Sequence, residues 1–112
     1  MLDFYSIPDN IDSWTEPVED KYIGSLSLEE FDVLGGYWTK LTACDLQLSF
    51  FEDARWKSSN LCVALEQLSA FADENFDGNK KEREKIDNAM AKIKVIFESS
   101  LTSGEGIMSF CD

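Results

Sequence analysis

Apolar residues recur along this chain with two different periods, and the switches between them mark out its elements. Leu2, Phe4 and Ile7 suggest a short strand over residues 1–7, which Pro8 ends and Asp9-Asn10 turns. Ile11 to Asp20 is acidic and contains Pro17, so it reads as an ordered loop in which Trp14 needs a surface to pack on. Lys21 to Leu26 alternates weakly around Tyr22 and Ile23 and suggests a second short strand. Ser27-Leu28-Glu29-Glu30 is a capping box, with the serine hydroxyl and the Glu30 carboxylate each taking a free amide of the first turn. Phe31, Leu34, Trp38 and Leu41 then share one helical face. Gly35-Gly36 interrupts that face, each glycine costing about 1 kcal/mol relative to alanine. The pattern predicts one helix over 27–41, with a stop at Leu34 as the alternative.

Leu46, Leu48 and Phe50 alternate with Gln47, Ser49 and Phe51, the clearest strand pattern in the chain. A helix over 58–73 follows, capped by Ser58 or Ser59. Its stripe is Leu61, Leu65, Leu68 and Phe71, and Cys62 is assigned to its buried side. Ile86, Met90, Ile93 and Phe97 define a third helix over 80–98. Residues 107–111 are short, apolar and strand-like. These periods predict a single α+β (or α/β) domain over residues 1–112, with three main helices and a small sheet containing 46–51 and 107–111.

Composition agrees with that picture. A chain of 112 residues with 44% hydrophobic content can build one core without staples. No stretch approaches the roughly 20 apolar residues that span a bilayer. Met1-Leu2-Asp3-Phe4-Tyr5 lacks the basic start and long apolar run of a signal peptide, so a cytoplasmic protein is expected. Cys44, Cys62 and Cys111 are an odd number without a Cys-x-x-Cys pair, which fits reduced thiols.

Charge changes the picture more. The formal net charge is −12, which argues against direct binding to nucleic acid or anionic lipid. Residues 1–56 hold 12 acids against Lys21, Lys40 and Arg55, a net of −9, and also every Trp and Tyr of the chain. Acidic groups laced with large aromatics suit a surface that meets a basic protein. The residues assigned to that surface are Asp9, Asp12, Trp14, Glu16, Glu19, Asp20, Tyr22, Tyr37, Glu52, Asp53 and Trp56. Phe31, Phe50, Phe71 and Phe97 lie on stripes and are assigned to the core.

No catalytic constellation is legible. Without histidine there is no Ser-His or Cys-His relay. The doublets Glu19-Asp20, Glu29-Glu30 and Glu52-Asp53 are what a chain with 22 acids produces on its solvated surface. Gly35-Gly36 and Gly104-Glu105-Gly106 lack the spacing and the lysine of a phosphate loop. One string does fit a calcium-loop template: Asp73, Asn75 and Asp77 at the oxygen positions, Gly78 at the turn, and Glu84 at the twelfth position. Lys80 and Lys81 fill the eighth and ninth positions, where that template wants an apolar side chain and an oxygen. The expectation is therefore no metal, no cofactor and no enzymatic activity, with Asp77 or Asn79 capping the third helix.

The chain resembles the small acidic immunity proteins that accompany bacterial polymorphic or contact-dependent inhibition toxins. The resemblance rests on size, acidity, mixed element order, the helix start Ser27-Leu28-Glu29-Glu30-Phe31, the segment Leu46 to Asp53, and the segment Gly106-Ile107-Met108-Ser109-Phe110-Cys111-Asp112. It implies tight, non-catalytic binding to a toxin domain, commonly a basic nuclease. Rival readings are a DNA-mimic inhibitor of a nucleic-acid-binding enzyme, a calcium-binding module, and a subunit of a larger assembly.

Overall fold

A computed structural model describes residues 1–74 and 78–111. Two segments nearly at opposite ends of the chain make the centre of the sheet. Strand β1 (Leu2–Ile7) pairs antiparallel with β4 (Gly106–Cys111) in an unbroken register from Leu2↔Cys111 to Ile7↔Gly106. Strand β2 (Tyr22–Leu26) adds to the free side of β1, and the three-residue β3 (Ala54–Trp56) to the free side of β4. The order is β2-β1-β4-β3, antiparallel throughout.

Among the described residues four α-helices join these strands: α1 (Leu28–Val33), α2 (Gly35–Ala43), α3 (Ser58–Ala72) and α4 (Lys80–Thr102). They cover one face of the sheet. Because side chains alternate along a strand, Leu2, Phe4, Leu26, Trp56 and Ile107 enter a core with Leu34, Tyr37, Leu61, Phe71, Ile93 and Phe97 from the helices. Phe97 is fully buried between Phe4 and Trp56, and its truncation to alanine would cost about 3–5 kcal/mol by the usual core scale. The opposite face carries a smaller cluster of Tyr5, Ile7, Met108 and Phe110, over which Ile11 and Trp14 pack from the segment after β1. The domain is α+β, as the periods predict.

The expected helix over 27–41 is two helices. Leu34 leaves helical geometry at φ −93°, ψ 16°, and its amide bonds the Phe31 carbonyl three residues back, at 3.2 Å. The Trp38 indole also donates to that carbonyl, at 2.7 Å. The glycines supply little resistance to the break, and Gly36 lies so close to Phe71 that a Cβ there would meet the ring at 2.9 Å. The capping box forms as expected, with Ser27 N donating to Glu30 at 2.9 Å and Glu30 N to Ser27 Oγ at 3.2 Å.

Residues 46–51 are not a strand. Leu46, Leu48 and Phe50 do turn toward the core, and Phe51 is 75% exposed, so the alternation reports burial. It does not report a ladder, because residues 54–56 already occupy the edge of β4 beside this segment. Its Gln47 carbonyl accepts from the Trp56 indole instead, at 3.2 Å. Cys62, assigned to the core, is exposed, as are Cys44 and Cys111. Phe31 and Phe50 are only partly buried, whereas Phe71 and Phe97 are core. Neither Ser58 nor Ser59 is the N-cap of α3; that position is Lys57. Asn79 does cap α4, accepting from Glu82 N at 2.9 Å. Helix α4 runs on to Thr102, a turn beyond the expected end.

Gly24 sets how closely α4 approaches the sheet. Its φ of +151° suits glycine, and a Cβ there would meet Ile96 Cγ1 at 2.6 Å. Gly24→Ala combines backbone strain with a clash in the core. It is expected to destabilise the fold by about 2 kcal/mol or more, read as a lower urea midpoint at unchanged m-value.

Candidate interaction surface

The segment between β1 and β2 decides what the outer sheet face presents. It leaves β1 at Pro8, crosses the smaller apolar cluster, and returns through a 3₁₀ turn at Glu19–Lys21 into β2. An acidic loop with two prolines has no regular ladder of its own, so side chains hold it. Arg55 on β3 donates to the Pro8 carbonyl at 3.0 Å and to the Ile11 carbonyl at 3.0 and 3.2 Å. Trp14 is half-buried over Met108, its amide 3.2 Å from the sulfur. Lys21 reaches Glu105 at 3.4 Å, and Glu105 also accepts from Ser6 at 2.7 Å. The strap is therefore fastened at both ends and at its middle.

Asp9 belongs to these fastenings. Its carboxylate accepts from Ser58 N at 2.8 Å and from the Ser58 hydroxyl, so a residue 49 positions away serves the first turn of α3. Those bonds from Ser58, aided by Arg55 and Lys57, hold its pKa below the usual carboxylate range. Burial lowers the Arg55 pKa in turn, and Asp9 and Asp12 oppose that shift.

Two aromatics assigned to the contact surface are inside the protein. Tyr37 is completely buried, with its hydroxyl donating to the Ala64 carbonyl at 2.6 Å, and burial pushes its phenol far above the ordinary value. The break at Leu34 brings it onto the core side of α2, off the stripe that the sequence marks. Trp56 points from β3 into the helical layer beside Phe97, opposite in direction to its neighbour Arg55. Neither can contact a partner without unfolding.

The remaining assigned residues stay accessible. Asp12, Glu16, Glu19 and Asp20 are exposed along the strap, and among the described residues none of the four makes an ion pair or side-chain hydrogen bond. Tyr22 is 46% exposed where the strap enters β2. Glu52 and Asp53 are exposed in the loop before β3, where Asp53 also accepts from Cys111 N at 3.1 Å. Phe51, beside them and packed edge-on against Phe50 at 5.5 Å, is an exposed aromatic that the alternating pattern hid by placing it in a strand.

Most positive charge lies elsewhere. Lys80, Lys81, Arg83, Lys85, Lys92 and Lys94 are all on α4. Lys85 pairs with Glu29 at 3.0 Å and Lys92 with Glu30 at 2.9 Å, tying α4 to α1. Glu30 is partly buried, but bonds from Ser27 and Lys92 still hold its pKa below the usual range.

No family model, curated protein or solved structure matches this chain. Among the described residues no group of three or more Cys, Asp or Glu could hold a metal ion. Asn75 and Asp77 of the calcium-like string lie outside the described residues, while Asp73 ends α3 and Glu84 is exposed on α4. No helix among the described residues is long and apolar enough to cross a membrane.

The Asp9 geometry has a pH signature. A carboxyl whose pKa is lowered by folding contributes stability above its unfolded value, near 3.8, and loses that contribution as the pH falls through the lower folded value. Asp9→Asn keeps a carbonyl acceptor and removes the charge. It should lower the urea midpoint at pH 7, by a margin that shrinks below pH 3.8. A margin that does not change with pH would mean that the charge is not what serves α3.

Proposed function

We propose that this protein is a non-catalytic inhibitor of the immunity type, which binds and neutralises a basic toxin or nuclease domain through the acidic strap on its outer sheet face. The observation that carries this reading is the set of four exposed carboxylates, Asp12, Glu16, Glu19 and Asp20, held on one fastened segment with no salt bridge or side-chain hydrogen bond among the described residues, beside half-buried Trp14 and exposed Tyr22. Such an array attracts a basic protein over several ångströms and steers its approach. Trp and Tyr at the same place supply area that binds firmly once water is expelled. The fastenings at Arg55, Met108 and Glu105 reduce the ordering that binding would otherwise require.

The charge division also bears on DNA mimicry. A mimic needs carboxylates spread evenly along its body, and α4 places six cations on one side of this one. The calcium reading gains nothing from the described part of its loop. The array instead favours one acidic face turned toward one basic partner, in the cytoplasm where such an inhibitor would meet its toxin.

The test is the association rate with the product of the adjacent gene. Replacing Asp12, Glu16, Glu19 and Asp20 by their amides together should slow association at least tenfold at low salt, with a smaller change in dissociation. The wild-type rate should fall steeply as ionic strength rises, since exposed charges are screened over about 8 Å at physiological salt. An acidic partner, or rates indifferent to salt and to the four substitutions, would reject the proposal.

A further inference from the structure

Tyr22, Ser25 and Asp3 form a chain of hydroxyls ending on a carboxylate, and the chain has only one possible direction. In a regular strand residues 22 and 25 would face opposite ways. The register between β1 and β2 slips here, from Phe4↔Gly24 to Tyr5↔Tyr22, and this bulge at Ile23 puts both side chains on the outer face. Ser25 Oγ lies 2.5 Å from Asp3 Oδ1 and is also hydrogen-bonded to the Tyr22 hydroxyl. A carboxylate can only accept, so the single Ser25 proton goes to Asp3. The Tyr22 hydroxyl must then donate its proton to Ser25. What it has left for any partner is lone pairs.

The ring is held as firmly as the hydroxyl. Tyr22 stands edge-on against Tyr5, with centroids 5.6 Å apart at 87°, and Tyr5 stands likewise against Phe110 at 5.6 Å. Ser25 is only 6% exposed, which keeps water from competing for its proton. The neighbouring cation, Lys21, is turned to Glu105, and the acids Glu19 and Asp20 lie just before it.

We infer that Tyr22 is a preset acceptor for an arginine side chain of the partner protein. A guanidinium can stack on the exposed ring and donate to the phenol oxygen, which suits it better than an ammonium. A carboxylate or carbonyl presented to the same oxygen would find no proton. This rests on the proposed strap surface but comes from a different observation, the direction of the protons.

The full-length, isotopically labelled protein titrated with a hexa-arginine peptide tests it by NMR. The Tyr22 ring resonances should shift, and Tyr22→Phe, which keeps the ring and removes the oxygen, should bind about tenfold more weakly, as loss of a hydrogen bond to a charged group implies. Ser25→Ala frees the hydroxyl to rotate and should weaken binding to a lesser degree. Hexa-lysine should bind less tightly than hexa-arginine. An unresponsive Tyr22 ring, or equal binding by Tyr22→Phe, overturns the inference. Shifts confined to Asp12–Asp20 in that case leave the strap reading intact, whereas Tyr22 shifts with a silent strap uphold the acceptor and reject the strap.

Discussion

Everything else in this structure depends on the pairing of β1 with β4. Six residue pairs bring together segments about a hundred residues apart, and both strands are interior to the sheet. The closure is costly in chain entropy, though the cost rises only logarithmically with loop length. The two strands bury side chains on both faces, Phe4 and Ile107 toward the helices, Tyr5 and Met108 toward the strap. Burial on both faces is what offsets the closure. It also makes one register strongly preferred, because a slip by one residue would exchange the two sets.

That pairing creates two unequal faces. The inner one receives four helices and most of the core. The outer one is too narrowly apolar to need a second layer, and a single loop covers it. The loop can afford many carboxylates because it only has to lay Ile11 and Trp14 on the cluster; its acids remain in water, where they cost little. The same division sorts the charges. Five lysines and Arg83 lie on α4, where Arg83, Lys85, Lys92 and Lys94 engage Asp87, Glu29, Glu30 and Glu98, so the strap keeps its negative excess. Surface pairs of this kind contribute about 0–1 kcal/mol each, so their consequence is the distribution of charge more than stability.

Much of the fold was legible from period and caps. The strands at 2–7, 22–26 and 106–111, the helices beginning near 58 and 80, the Ser27 capping box and the Asn79 cap all follow local rules. The failures share one cause. Residues 46–51 alternate because they lie along the core edge, yet the ladder position went to Ala54–Trp56, a segment too short to show a period. Tyr37 and Trp56 looked accessible because they fall off the stripes, and stripes describe only one face of one element. The accessible Phe51 was missed for the matching reason.

The amino-acid sequence by itself determined most of the element types, the lack of any histidine in the chain, and the concentration of acids and aromatics before residue 57. These are properties of composition and of spacings within a few residues, where propensity and capping act. Tertiary structure alone decided which acids are free and which are engaged. Asp9 is taken by Ser58 and Glu30 by Lys92, across 49 and 62 residues, while Asp12, Glu16, Glu19 and Asp20 remain open. It also decided the direction of the Tyr22–Ser25–Asp3 chain, since that depends on a bulge between two strands. Local sequence fixes what each residue prefers; the partners available to it are set by which distant segments the sheet brings together.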